Sequence, residues 1–569
     1  MPRSGPRLES SLAASAILLV LFTTPVLAAG KPTLLVNGRI LRDASAPPSS
    51  RFAEAALMAD GRFVAVGTQD QVEKEARAKG FTPARVDLRG GFAIPALTDA
   101  HGHVEGLGIA LQRLQLVETQ SAEAIAQMVA ERVKTAPKGE WILGRGWDQN
   151  DWPVQKFPTH ELLDRVAPDH PVWLRRVDGH AAWANSKALQ LAGVTKATVE
   201  VPGGRIERSP DGTPTGVLVD DAMDLVESKI PASTREQRRK AILLAAQHCA
   251  SLGLTGVHDA GVDLEGISIY RELARKGELP IRVFAMVSSG SSWGPEALPR
   301  TKVDEGDGRF RVFGVKAYAD GALGSRGAAL LAEYSDDPGN VGLLRTRPDT
   351  LELLAKRCLE RGYSLCVHAI GDRGNREVLD AFERAARASP ASLPERRFRI
   401  EHAQVIALDD IPRFAKLGVI ASMQPTHCTS DMPWAPARLG KSRVDGAYAW
   451  RRLLDANVRL ALGSDFPVEY ANPLLGLFAA VTTQDPKGEP PAGYRPTEKL
   501  TVLEALRGFT SDAAYAAFAE GELGRAAHGY RADLTVYDRD FTAVPPNELV
   551  AAACQMTIVA GEIVWQRKK

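Results

Sequence analysis

The stretch Phe92-Ala93-Ile94-Pro95-Ala96-Leu97-Thr98-Asp99-Ala100-His101-Gly102-His103 runs from a short apolar segment into two histidines two positions apart. Residues i and i+2 of a β-strand point to the same face, so a strand ending in His-x-His aims both imidazoles at one point. Histidine is scarce in this chain, 11 of 569 residues, and two rings at a buried strand end are costly unless something uses their nitrogens. A divalent metal such as zinc suits the pattern; chance spacing is the alternative.

Outward from this strand the chain alternates apolar runs with helical stretches, the pattern of repeated βα units. Eight candidate strands fall at 92–98, 254–258, 281–287, 310–318, 364–368, 397–402, 418–423 and 459–464. Eight is the number that closes a TIM (β/α)8 barrel, so the predicted class is α/β. Polar residues gather at one end of each strand, where that fold keeps its chemistry: His101 and His103, His258 and Asp259, Lys316, His368, His402, Gln424 and His427, and Asp465.

The interval between the first two strands is too long for one crossover, and residues 140–235 carry strand-like pieces of their own. They are read as an inserted cap subdomain of a barrel spanning 92–524. Trp141, Trp147, Trp152, Trp173 and Trp183, five of the nine tryptophans, lie there and serve equally as pocket wall or as the insert's own core. Strand-like segments joined by Asn37-Gly38 and Asp60-Gly61 turns near one end, and by Ala560-Gly561 near the other, predict a composite β-sandwich from 30–91 and 525–569.

Arg3 and Arg7 precede an apolar stretch from Leu12 to Leu27, and Val26-Leu27-Ala28 offers small residues at a cleavage site. Residues 1–29 are therefore read as a signal peptide, which predicts a secreted or periplasmic protein with no stable membrane anchor after cleavage; an uncleaved anchor is the alternative. With 70 Lys+Arg against 69 Asp+Glu the formal charge is +1, which gives no reason to expect nucleic acid as a partner. The five cysteines are odd in number, widely spaced and without a C-x-x-C pair, so they are read as buried thiols rather than a disulfide framework.

His101, His103, Lys316, His368, His402 and Asp465 together supply what a zinc-hydrolase centre needs: neutral imidazoles and a carboxylate that binds metal and handles a proton. Lys316 lies within Val312-Phe313-Gly314-Val315-Lys316-Ala317-Tyr318. An ammonium group buried there, beside metal charge, is pushed toward its neutral amine, and an amine can take up carbon dioxide as a carbamate able to bridge two ions. A lysine paired with Asp320 is the alternative.

The chain resembles the amidohydrolase superfamily, and within it the amidohydrolase-3 branch of YtcJ-like metal-dependent hydrolases. The resemblance rests on His101-Gly102-His103, on Val315-Lys316-Ala317-Tyr318-Ala319-Asp320-Gly321-Ala322-Leu323-Gly324-Ser325-Arg326, on Val367-His368-Ala369-Ile370-Gly371-Asp372, on Arg399-Ile400-Glu401-His402-Ala403 and on Leu462-Gly463-Ser464-Asp465-Phe466-Pro467. Gly144-Arg145-Gly146-Trp147 and Asp178-Gly179-His180-Ala181-Ala182-Trp183-Ala184-Asn185-Ser186 in the insertion are also similar to that branch. It implies a TIM barrel with a composite β-sandwich, an insertion between the first two barrel strands, and hydrolysis of amide or related C–N bonds.

Residue by residue, the resemblance implies that His101, His103 and Asp465 hold one Zn2+ or other divalent ion. It implies that His368 and His402 hold a second, and that carboxylated Lys316 bridges them; a single-metal site stays open. Asp465 is the implied proton carrier. His180 is a second catalytic candidate if it polarises the substrate carbonyl, or else a hydrogen-bonded loop histidine. Trp147, Asp320, Arg326 and His427 are candidate substrate contacts. The reading is an exported metal-dependent amidohydrolase acting on an N-acyl or N-formyl amine as small-molecule substrate. Hydrolysis of a lactone, ester or carbamate, deamination, or a catalytically silent metal-binding protein are the alternatives. A homo-oligomer is left open.

Overall fold

The computed structural model describes residues 31–290, 302–389 and 392–568; the expected signal peptide lies outside them. Eight parallel strands form a nearly closed barrel of the TIM type: Thr98–Gly102, Gly256–Val262, Arg282–Ser288, Phe310–Tyr318, Ser364–Ala369, Arg399–His402, Ile420–Met423 and Leu460–Leu462, hydrogen-bonded in sequence order. Helices cover the outside and side chains fill the inside, so each strand is buried on both faces. That is why Val283, Phe284, Ala285, Met286 and Val287 of the third strand are all buried in succession.

The eighth strand is only three residues long, and the turn after it completes the ring. The Asp465 N–H donates to the His101 carbonyl at 2.7 Å, and the His103 N–H donates to the Phe466 carbonyl at 2.8 Å. Gly463 allows this approach, because a Cβ there would stand 2.5 Å from both Asp99 Oδ1 and the His101 nitrogen.

Seven of the eight predicted strands lie at or within a few residues of the observed ones, and the first is a correction. Phe92–Pro95 pairs in parallel with Arg39–Leu41 and antiparallel with Leu534–Tyr537, outside the barrel. The chain then turns at Ala96, which has a φ of 47°, and the first barrel strand is Thr98–Gly102. One continuous apolar run had covered two strands in different sheets.

The two chain ends meet in a pair of sheets. Four strands, Arg62–Gly67, Ala55–Ala59, Thr33–Val36 and Ala84–Asp87, form one; six form the other, in the order Glu562–Gln566, Cys554–Val559, Leu534–Tyr537, Phe92–Pro95, Arg39–Leu41 and Phe52–Ala53. Leu35, Met58 and Phe63 of the first pack with Ile40, Ala93, Leu534, Val536 and Ile558 of the second in one core. Asn37, Asp60 and Gly61 take positive φ values of 55°, 50° and 72°, as tight strand-to-strand turns require. A buried ion pair ties this unit to the barrel: Arg282 Nε and Nη2 donate to the two Asp533 carboxylate oxygens at 2.7 and 2.9 Å.

Between barrel strands one and two lies a separate six-stranded sheet, ordered Gly204–Arg208, Pro214–Asp220, Ala181–Ala184, Val172–Arg176, Ile142–Trp147 and Leu114–Gln115. It begins at Leu114, earlier than the expected 140. Trp147, Trp152 and Trp183 pack on one face with Ile125, Val129 and Leu163, while Trp173 packs on the other with Leu189, Leu218 and Val226. Trp147 is fully buried and its Nε1–H donates to the Leu174 carbonyl at 2.7 Å. The expected substrate contact at Trp147 is therefore corrected: the ring is the insert's own core and has no surface to offer. All five cysteines are buried and unpaired.

Helix Val104–Gln112, which follows the first strand, lies directly against helix Arg235–Ser251, which precedes the second. A Cβ on Gly108 would stand 1.9 Å from the Ala241 carbonyl oxygen. Gly108→Ala should therefore force the helices apart and lower the urea-unfolding free energy by about 1–3 kcal/mol, the range for overpacking. Gly521→Ala, where a Cβ meets nothing within 4 Å, should change it little; equal effects would overturn the packing account.

Candidate metal centre

The strand ends set the centre. His101 is fully buried at the end of the first strand, and His103 follows as the residue before helix Val104–Gln112. Asp465 stands after the eighth strand in a left-handed conformation with φ 63°. Asp99 binds these two ends together. Its carboxyl accepts from the His101 N–H at 3.0 Å, the Ser464 N–H at 3.1 Å and the Ser464 hydroxyl at 2.7 Å. Burial pushes its pKa up to about 7 against those hydrogen bonds.

Each ring's second nitrogen has an acceptor that fixes its tautomer. His101 Nδ1 lies 2.5 Å from Glu401 Oε2. Glu401 is fully buried, and burial raises its pKa, but Arg399 and His101 outweigh that and hold it well below the usual carboxylate range. Glu401 is thus an anion that accepts the hydrogen bond of the Nδ1–H, which leaves His101 Nε2 as a bare electron pair. Burial and the nearby Lys316 also lower the His101 pKa to about 4, so the ring is neutral at pH 7. His103 Nδ1 donates to the Ala260 carbonyl at 2.8 Å, which likewise bares its Nε2.

Those two electron pairs face a third. Asp465 Oδ1 lies 3.0 Å from His103 Nε2 and 3.5 Å from His101 Nε2, yet it is buried and has no hydrogen-bond partner. With the tautomers set as above, no proton lies between these atoms. A buried oxygen without a partner is expensive, and a cation among His101, His103 and Asp465 would satisfy it. The donor set of imidazoles and carboxylate is one that zinc accepts.

A second set of rings lies beside the first. His402 Nδ1 is 2.8 Å from Gln424 Oε1, and the Gln424 amide donates to the Ser422 carbonyl at 3.2 Å, which orients it. His368 Nε2 is 3.3 Å from the Gly321 carbonyl oxygen. His402 Nε2 and His368 Nδ1 are accordingly the bare nitrogens, on rings whose centroids are 4.5 Å apart. Burial lowers the His368 pKa to about 3, and burial with His368 beside it drives His402 well below its ordinary value.

Lys316 is buried with its Nζ 3.1 Å from His101 Nε2. Burial lowers its pKa, against the pull of Glu401 and Asp465. The alternative pairing with Asp320 is not made. Asp320 instead accepts backbone N–H groups of Ala329, Ile370 and Gly371 at 2.9, 3.0 and 2.8 Å, which anchors the loops after the fourth and fifth strands. His427 joins the centre, with Nε2 3.4 Å from Asp465 Oδ2 and Nδ1 3.3 Å from Glu469 Oε1. Burial lowers its pKa, but the bonds to those two carboxylates outweigh it and raise it to about 10.

The structure does not bring every expected residue here. His180 is exposed on the inserted sheet, its Nδ1 2.8 Å from Asp220 Oδ1, and it touches none of the converging histidines. That is the arrangement of the hydrogen-bonded loop histidine, and no contact supports the carbonyl-polarising role expected of it. Arg326 is engaged with Asp336 at 3.1 Å through both Nε and Nη2. Sequence reasoning also missed the residues beneath the converging histidines. Arg399 and Glu401 are two apart on one strand and so share a face; two charges in an otherwise apolar strand had to be paired, and that was the available signal.

The Amidohydrolase family model matches residues 84–565. The chain is 33% identical over 521 residues to a Bacillus subtilis protein named "Putative amidohydrolase YtcJ", covering 90% of this chain and 96% of that protein. It is 29% identical to the N-substituted formamide deformylase of Arthrobacter pascens over 90% of this chain and 95% of the relative. An uncharacterized metal-dependent hydrolase from Pyrococcus horikoshii superposes with a TM-score of 0.74 at 27% identity, covering 91% of this chain and 99% of that one.

Metal content tests the tautomer argument directly. Glu401→Gln should weaken metal affinity by about 10–100-fold, the usual cost of losing a ligand's hydrogen-bonded carboxylate. His101→Ala/His103→Ala should remove most bound zinc by elemental analysis. Unchanged zinc in both variants would overturn the assignment.

Proposed function

The chain belongs to the amidohydrolase family, and we propose that it is an exported zinc hydrolase that cleaves the C–N bond of an N-acyl or N-formyl amine. The observation that carries the reading is the buried, partnerless Asp465 Oδ1 facing two bare imidazole nitrogens. The deformylase among the relatives supports the substrate class. Export is supported by the basic and then apolar N-terminal stretch. The two-sheet unit from the chain ends is read as a composite β-sandwich, and the inserted sheet as a cap at the barrel mouth.

His101, His103 and Asp465 would hold one ion, and His368 and His402 a second, with Lys316 in its carbamate form between them. A divalent ion there supplies Lewis-acid polarisation and a water of near-neutral pKa. The chain's own part is to aim and to move protons. Glu401, the Ala260 and Gly321 carbonyls and Gln424 keep the ligand nitrogens bare, so no side-chain proton has to leave a ring before an ion is held. Lys316 reaches its carbamate when its amine electron pair bonds to the carbon of CO2 and the displaced N–H proton passes to solvent; a buried amine is the form that can do so.

Asp465 accepts the proton of the water that attacks the amide carbonyl and returns it to the nitrogen, which leaves as an amine while the acyl group leaves as a carboxylic acid. Such a base must be within hydrogen-bond reach of the water, and a carboxylate among the ligands satisfies this. His427 holds the opposite oxygen, Oδ2, and so fixes how the carboxylate is turned.

Mature protein loaded with zinc should hydrolyse members of a panel of N-formyl and N-acyl amines and leave matched lactones largely intact. Asp465→Asn should lower kcat by at least about 100-fold, the scale of general-base catalysis. Lys316→Ala should lose activity that bicarbonate restores only in the wild-type apoenzyme. Hydrolysis of lactones alone, or full activity in Lys316→Ala, would overturn the reading, as would a metal-loaded protein that cleaves nothing. N-terminal sequencing of the protein from the cell envelope should begin near Ala29 or Gly30; an intact Met1 there would refute export by cleavage.

A further inference from the structure

Three guanidinium groups crowd one edge of the inserted sheet around a single carboxylate. Arg145 on Ile142–Trp147 and Arg175 on Val172–Arg176 are register partners across parallel strands, so their side chains leave the same face side by side. Arg113 immediately precedes Leu114–Gln115, which pairs with the other edge of Ile142–Trp147. Burial, together with the charges of Arg175 and Arg145, lowers the Arg113 pKa. The Nη2 atoms of Arg145 and Arg175 lie 3.8 and 4.0 Å from where a Cβ on Gly179 would stand. Two cations thus converge over a residue that has no side chain.

Other arginines are closed off and these are not. Arg176 donates to Gln149 at 2.9 Å, to Asp148 at 2.7 Å and to Asp178. Arg459 and Arg507, which line a 390 Å³ cavity at the far end of the barrel strands from Asp465, share the buried carboxylate of Asp512. In the cluster, by contrast, the ion pair formed among the described residues is Arg175 with Glu227, at 3.3 Å. That Glu227 oxygen already accepts from Trp173 Nε1 at 3.1 Å, and Arg175 Nε is buried without a hydrogen bond. Among the described residues the side chain of Arg145 donates to the Val177 carbonyl, at 3.5 Å, and that of Arg175 to the Gly179 carbonyl, at 3.1 Å.

Like charges directly opposite in a sheet destabilise it, so three cations around one carboxylate call for a further anion. The planar guanidinium fork matches oxyanions in bidentate fashion. We propose that Arg113, Arg145 and Arg175 form an oxyanion-binding site on the inserted sheet that takes the carboxylate or phosphate group of a small molecule.

The test is calorimetric titration of the zinc-loaded protein with inorganic phosphate and with succinate at constant ionic strength, using chloride as control. At least one should bind saturably, and the tighter of the two identifies the group. Arg113→Gln and Arg145→Gln should each weaken that binding tenfold or more, and Arg145→Gln, at an exposed side chain, should leave the anion-free melting temperature unchanged or raised. The His101→Ala/His103→Ala variant should bind as the wild type does, which separates this site from the metal centre. No saturable binding beyond chloride would overturn the proposal. Binding that survives both arginine variants, or that is lost with the histidines instead, would overturn it as well.

Discussion

One guanidinium holds the middle of the barrel together. Arg399 is fully buried and donates to the Ala100 carbonyl, His258 Nδ1, both oxygens of Glu401 and the Ser422 hydroxyl, all between 2.7 and 2.9 Å. Those partners sit on the first, second, sixth and seventh strands. A buried cation is tolerable only when paired and saturated with hydrogen bonds, and this one is. Removing one partner of such a pair costs about 3–5 kcal/mol because the other charge is stranded. The same Glu401 that neutralises Arg399 accepts the His101 Nδ1–H bond, so the interaction that fills the barrel's centre also decides which His101 nitrogen faces Asp465.

Barrel closure and site geometry are likewise one constraint. A three-residue last strand cannot zip the ring by itself. Closure comes from the turn that follows: Ser464 donates to the Asp99 carboxyl on the first strand, and the backbone of Asp465 and Phe466 bonds to His101 and His103. Because Asp465 is held by its own N–H to the His101 carbonyl, the carboxylate and the two histidines are fixed relative to one another by main-chain bonds. Side-chain flexibility contributes little to that placement.

Much of this was legible in the sequence, for reasons that vary from element to element. Phe310–Tyr318 was readable to the residue, because a fully buried parallel strand is a bounded apolar run. Phe92–Leu97 misled by the same rule, since burial on both faces looks alike in a barrel and in the sheet that joins the chain ends. The converging histidines were visible because they interrupt apolar strands at their ends. Glu401 was hidden beside one of them, because pairing across 300 residues to His101 leaves no local signature. The tryptophans left core and pocket equally open, and only the two faces of the inserted sheet, each with its own helices, assign Trp147 and Trp183 to a core.

Holding the converging ring nitrogens bare costs the folded protein stability. Every second nitrogen is committed to a different acceptor, on Glu401, Ala260, Gly321 or Gln424, and each of these belongs to a different strand or loop. The folded chain therefore cannot relieve the crowding of electron pairs at Asp465 Oδ1 by turning one ring over, because that would orphan a donor or acceptor elsewhere in the core. In the unfolded chain the same groups are solvated and carry no such penalty. Binding of an ion to the folded form alone then adds its binding free energy to folding. An ion held there would thus stabilise the barrel as well as the site, by an amount set by its affinity and its free concentration.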